Sequence, residues 1–155
     1  DWVELHNPTP HGLCISYKSS KITLIRYLNI VFEIEAFACI FESAQERFII
    51  LLVYRPPTSN IKHFIDQLKK QIIRFQRFFH RIIVLGDFNL DQNKQVNVNH
   101  LKPILLQNLT PRVKFATHCD GGILDLILDT QMSTNPSVKW LPSAYSDHFM
   151  IFYGL

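Results

Sequence analysis

Two rhythms of apolar residues divide the chain. The first is continuous and short. "ERFIILLVY" (46 to 54) has no polar interruption after Arg47, the pattern of an interior strand covered on both faces. Arg55-Pro56-Pro57 must end it, because proline cannot donate to a strand ladder. "RIIVLGDF" (81 to 88) is a shorter strand of the same kind. "LNIVFEIEAFACIF" (28 to 41) alternates at first, with Ile30, Phe32 and Ile34 on one face and Glu33 and Glu35 on the other, which reads as solvent-facing. Beyond Ala36 the alternation blurs, as a bulge or a doubly buried stretch would make it. Further strands are expected at "GLCISYK" (12 to 18), "GGILDLIL" (121 to 128), "SVKWL" (137 to 141) and "FMIFY" (149 to 153).

The second rhythm has helical period. Ile61, Phe64, Ile65, Leu68, Ile72, Phe75 and Phe79 follow at steps of three and four, after Thr58, Ser59 and Asn60 as N-cap candidates. A less regular helix is expected over roughly Asn97 to Asn108. Strands and helices mixed in this way, with the strongest strands apolar on both faces, predict an α/β layered domain.

Length and composition agree. The chain has 155 residues, 47% hydrophobic and 19% charged, which suits one domain with a substantial core. No apolar run is long enough to cross a bilayer, so no membrane partner is expected. The chain opens mid-pattern on "DWVELHNPTP", as an excised piece would, and shows no signal-peptide pattern. Cys14, Cys39 and Cys119 are odd in number and widely spaced, which argues against a disulfide framework or a zinc cage. They read as reduced, mostly buried thiols of an intracellular protein.

Net charge is +3, and the excess is local. Between Lys62 and Arg81 lie six basic residues and one acidic; the rest of the chain holds ten basic and twelve acidic. This segment could attract a nucleic-acid backbone or simply form the wet face of a helix.

Candidate chemistry gathers at strand ends, where α/β sheets build their sites. In "VLGDFNLDQN", Asp87, Asn89, Asp91 and Asn93 occupy every second position. A strand would point Asp87 and Asn89 the same way. A carboxylate beside an amide can hold a hard cation or orient a water for attack. Glycine, aspartate and asparagine are also turn formers, so "GDFN" reads equally well as a turn. Asp125 interrupts an apolar run and needs a partner. "YSDHF" supplies Asp147 and His148 just before the last strand. A histidine held by a buried aspartate keeps one nitrogen for substrate, whereas a lone loop histidine does nothing of the kind. The remaining histidines, His118 among them, lack such a context.

In this order "VYRPP", "VLGDFN", "GGILDLIL" and "YSDH" resemble the endonuclease/exonuclease/phosphatase superfamily, and most of all the endonuclease domains of non-LTR (LINE-type) retrotransposons. "HGLCISYK" is similar to a strand that those domains carry upstream. The resemblance implies a four-layered α/β sandwich, two packed mixed β-sheets flanked by helices, and phosphodiester hydrolysis with magnesium or manganese. It implies that Asp87 activates the attacking water, Asn89 positions that water or the phosphate, and Tyr54 reaches the phosphate. Asp147 would help hold the metal or its water shell, His148 would contact the phosphate oxygen, and Asp125 would orient His148. DNA is the implied substrate, a reverse transcriptase domain in the same polyprotein the implied partner, and the nucleus the implied location.

The family also opens with strands and a helix that carry an asparagine and a glutamate ligand. The ten residues before "HGLCISYK" are too few to supply them, and Glu4 lies in no matching context. The domain is therefore expected to lack the first strands and helix of the fold and to hold a metal weakly. A catalytically inactive truncated remnant, or a nucleic-acid-binding module, is the alternative reading. "VYRPP" points away from the phosphomonoesterase and lipid-phosphatase branches.

Overall fold

A computed structural model describes residues 1–6, 13–29, 34–130 and 137–154. Ten strands and two helices occur among them: β1 (Trp2–His6), β2 (Cys14–Lys18), β3 (Thr23–Asn29), β4 (Glu35–Glu42), β5 (Arg47–Tyr54), α1 (Ile61–Gln76), β6 (Arg81–Asp87), α2 (Gln95–Leu105), β7 (Thr110–Pro111), β8 (Asp125–Asp129), β9 (Val138–Leu141) and β10 (Met150–Tyr153). The central sheet has six strands in the order β3-β4-β5-β6-β8-β7. Only β5 and β6 are parallel, joined through α1; the other pairs are antiparallel.

β5 sits mid-sheet because nothing in it needs water. Phe48 to Val53 are all buried, and their alternate side chains feed two cores. Ile49, Leu51 and Val53 face the helix layer, where α1 offers Phe64, Leu68 and Ile72 and α2 offers Leu101 and Ile104. Phe48, Ile50 and Leu52 face the other way, with Phe37, Phe41 and Ile83. That second face is covered by two antiparallel strand pairs, β1-β2 and β9-β10, through Ile15, Tyr17, Val138, Ile151 and Tyr153. The expected sandwich of sheet on sheet, with helices outside, is thus present. A cleft of about 220 Å³ runs between the second layer and the central sheet, lined by Leu85, Gly86, Ile127, Phe149 and Ile151, with Asp125 at its wall.

α1 begins where Asn60 caps it, accepting the His63 amide at 2.9 Å. Gly86 lets β5 and β6 approach: its φ is +141°, and a Cβ there would lie 1.9 Å from the Val53 carbonyl oxygen.

Several expectations change. The strand expected from residue 28 starts at Glu35, while Ile30, Phe32 and Glu33 lie outside the described residues, as does His11. Along β4, Ala36 to Cys39 and Phe41 are buried, so the doubly buried reading holds there, and the register irregularity falls in β3 between Leu24 and Arg26. The run from Gly121 forms strand only from Asp125; Thr117 Oγ1 accepts the amides of Leu124 and Asp125 and ties the preceding loop down. The cysteines are not mostly buried. Cys39 lies in the core, where burial pushes its thiol up to about 12, but Cys14 and Cys119 are exposed on β2 and in a turn. Arg81 is not on the wet face of α1. It lies beyond the helix, buried, and pairs with Asp129 at 2.9 Å and Glu46 at 2.7 Å. Lys62, Lys70, Arg74 and Arg77 are exposed, as the solvent-face reading requires.

Candidate active site

Adjacent strands bring one row of side chains together at a single end of the central sheet. Glu35 of β4 is registered opposite Tyr54 of β5, Tyr54 opposite Asp87 of β6, and Asp87 opposite Asp125 of β8. Four polar residues thus cross four strands in line. His148 then extends the row: its Nδ1 donates to Asp125 Oδ2 at 2.8 Å. Ligand atoms of Asp87, Asp125 and His148 all lie within 4.8 Å of one another. Glu35, read from the sequence as solvent-facing, belongs to this row by its register opposite Tyr54 and is only half-exposed.

The segment after β6 is anchored by its apolar residues. Phe88 and Leu90 are buried in the helix-side core, Phe88 edge-on to Phe64. This leaves Asp87, Asn89 and Asp91 on the open side. Asn89 does not get there by strand alternation, since β6 ends at Asp87 and Asn89 has φ 48°. Hydrogen bonds hold it instead. Its amide N–H donates to Asp87 Oδ1 at 2.8 Å, and its Nδ2 donates to Asp87 Oδ2 at 3.0 Å and to the Arg55 carbonyl at 2.9 Å. Strand β6 thus ends inside "GDFN", and the chain turns at Asn89 with the Asp87 carboxylate capping the Asn89 amide, which sets the two side chains next to each other. Asp91 and Asn93 serve a different purpose. Asp91 accepts the Ile123 amide at 3.2 Å and Asn93 donates to the Gly121 carbonyl at 2.9 Å, so both fasten the loop that leads into β8.

Arg55, which the sequence offered only as part of a strand stop, is a clamp. It is 2% exposed, and its guanidinium donates to the carbonyls of Phe88 (2.6 Å), Asn89 (2.7 Å), Ser59 (3.0 Å) and Pro56 (3.1 Å). One planar fork thereby fixes the turn that carries Asp87 and Asn89.

The electrostatics follow from crowding. Burial raises the Asp87 carboxyl above the ordinary range. The Asn89 amide opposes this, the Asp125 charge adds to it, and His148 and Arg55 offset part. Burial alone would lower the His148 ring, but its hydrogen bond to Asp125 and the charges of Asp125, Asp87 and Asp147 outweigh that and raise it. Burial, then the charges of Asp87 and Glu35, raise the Tyr54 hydroxyl against the opposing pull of Arg55, so it stays protonated at neutral pH.

Asp147 stands apart from the row, exposed, and engages His118: His118 Nε2 lies 3.2 Å from Asp147 Oδ2, a bond that holds the carboxyl below its usual range. His118, set aside in the sequence as lacking context, faces His148 at 5.1 Å between ring centroids. No local signal marks it, because its neighbours come from a segment 29 residues later.

A divalent cation fits this donor set. Asp87 and Asp125 offer carboxylate oxygens close together, with the His148 ring beside them. Magnesium asks no more than one or two carboxylates, completed by water and a substrate phosphate.

No family model and no curated protein sequence matches the chain. Solved structures do, at the level of fold. The endonuclease domain of TRAS1, a telomere-specific non-LTR retrotransposon, superposes with TM-score 0.73 at 13% identity, over 98% of this chain and 77% of that one. The human Nocturnin catalytic domain, with bound sulfate, gives 0.67 at 18% identity over 97% and 73%. An endonuclease/exonuclease/phosphatase family protein from Leptotrichia buccalis gives 0.64 at 16% over 100% and 72%. The chain therefore has the fold of endonuclease/exonuclease/phosphatase proteins.

Proposed function

We propose that this domain hydrolyses phosphodiester bonds with a divalent metal, magnesium or manganese, and that it nicks DNA as the endonuclease of a retroelement polyprotein. The observation that carries this reading is the registered row Tyr54–Asp87–Asp125, closed by His148 on Asp125. The Asp87 carboxylate accepts a proton from the attacking water. Asn89 has its Nδ2 committed to Asp87 and the Arg55 carbonyl, which leaves its side-chain oxygen to orient that water. His148, with Nδ1 on Asp125, presents Nε2 to the phosphate oxygen on which charge builds up. The protonated Tyr54 hydroxyl donates to the same phosphate. Asp87 and Asp125 would hold the metal directly and Asp147 its water shell; when bound, the metal supplies Lewis-acid stabilisation of the phosphate. Similarity to the TRAS1 domain supports a retroelement origin, and Nocturnin shares the fold, so the fold by itself does not choose the substrate.

One observation favours a second reading, a nucleic-acid-binding module without turnover. Each carboxylate of the site already has a partner: Asp87 has Asn89, Asp125 has His148, and Asp147 has His118. Relaxation of supercoiled plasmid separates the two. The hydrolytic reading expects nicked circles in magnesium and none with chelator. Retention of DNA in a fluorescence-anisotropy titration with no nicking in either condition would establish the binding module.

A further inference from the structure

We propose a second metal site, for a borderline divalent cation of the zinc class, formed by His118, Asp147 and His148. One ligand atom from each lies within 4.8 Å of the other two. The backbone sets up the pair. His118 and His148 are opposite partners in an antiparallel bridge, flanked by bonds from the Cys119 amide to the Asp147 carbonyl and from the Phe149 amide to the Thr117 carbonyl, both 2.8 Å. Bonds that flank a pair on either side mark it as the closely spaced, non-hydrogen-bonded type, whose side chains stand together on one face.

The distances suit a tetrahedral ion. With metal–ligand bonds of about 2.0–2.1 Å, ligand atoms sit roughly 3.3 Å apart. His118 Nε2 and Asp147 Oδ2 are already 3.2 Å apart. Asp125 holds His148 Nδ1, so Nε2 is the nitrogen left to coordinate. His118 has the same support in reserve, since Asp120 Oδ2 lies 3.6 Å from its Nδ1. With metal on Nε2, the ring proton sits on Nδ1 and turns to Asp120, in place of the Asp120 amide bond that Nδ1 now accepts at 3.1 Å. Each histidine then has a carboxylate behind it, the arrangement that fixes zinc-binding imidazoles. Two nitrogens and one oxygen leave a fourth position for water or phosphate and favour zinc over magnesium, which prefers oxygen.

Binding stands on these distances alone. Its consequence rests on the hydrolytic reading: the ion takes His148 Nε2 away from the phosphate, so zinc inhibits a magnesium-dependent reaction.

Zinc titration of the purified chain against a chromophoric chelator tests the site. Cobalt substitution provides a spectroscopic check through the visible bands of tetrahedral cobalt. Two groups that include a cysteine also occur among the described residues, Glu4 with His6 and Cys14, and Cys119 with His118 and Asp120, so His6→Ala and Cys119→Ser are the controls, and both should bind like the parent. His118→Gln should bind at least ten-fold more weakly, with the cobalt bands lost. Zinc should raise the melting temperature of the parent but not of His118→Gln, which also shows that the variant folds. Unchanged affinity in His118→Gln, or loss of binding in His6→Ala or Cys119→Ser, overturns the site. If the chain binds zinc but relaxes no plasmid, the hydrolytic reading fails and the site stands. If zinc inhibits parent and His118→Gln at equal concentrations, the inhibitory consequence fails.

Discussion

Asp125 accepts the Nδ1 proton of His148 at 2.8 Å across 23 residues of sequence, and this bond fixes which ring nitrogen faces the open end of the sheet. The pair has a pH signature. The folded-state pKa of His148 is raised: burial opposes the charged form, but the bond to Asp125 and the charges of Asp125, Asp87 and Asp147 prevail. A raised histidine contributes stability that is fully present below its unfolded value of about 6.5 and is lost as pH rises through the folded value. Denaturant melts of parent and His148→Ala should therefore differ most near pH 6 and converge toward pH 9. A difference that widens with pH would show that the ring is held neutral.

Arg55 acts at one remove from the chemistry. Its fork joins the Phe88 and Asn89 carbonyls to those of Pro56 and Ser59. Lysine keeps the charge but cannot span these acceptors. Arg55→Lys should cost about 1–3 kcal/mol in equilibrium unfolding. It should also lower turnover by on the order of 10²-fold, through misplacement of Asp87 and Asn89, with little change in DNA affinity. An affinity loss at unchanged turnover would make Arg55 a substrate contact instead.

A different charge holds the far end of β6 and β8. Asp129 is fully buried against Arg81 and the Tyr153 hydroxyl. Removing the cation alone strands that carboxylate, so Arg81→Met should destabilise by about 3–5 kcal/mol. The double variant Arg81→Met with Asp129→Leu should recover much of the loss. No recovery in urea unfolding would mean that the fold needs the pair itself.

The basic face of α1 offers a negative prediction. β5 runs toward the site and ends at Tyr54, α1 returns away from it, and β6 comes back to Asp87. Lys70, Arg74 and Arg77, on the later turns, are thus carried away from the catalytic end. Replacing all three with alanine should leave the salt dependence of DNA binding nearly unchanged. Three true phosphate contacts would flatten the log–log slope by roughly 2.7.

Legibility in the sequence tracks how local the cause is. β5, β6 and α1 are plain because continuous burial and helical period are written into adjacent residues. β1 escapes notice because "WVELH" mixes apolar and charged positions in a short, mostly exposed strand, and β3 because Arg26 interrupts it beside a register irregularity. Asp87, Asn89, Asp125 and His148 were visible as residue types at strand ends, and the structure brings them together. Glu35 and His118 were not, since only the pairing of distant strands tells a site wall from a solvent face. Arg55 and Arg81 looked like a strand stop and a helix charge because the Phe88 and Asn89 carbonyls and the Asp129 and Glu46 carboxylates that they hold lie more than thirty residues away.

The central claim is that Asp87 and His148 work on the same phosphate. Parent chain, Asp87→Ala and His148→Ala, purified identically, should be compared for plasmid relaxation in magnesium, where a single nick per circle is visible even at weak turnover. The account predicts relaxation by the parent and a loss of about 10²-fold or more in each variant. Relaxation at equal rates by all three, or none by the parent, would contradict it.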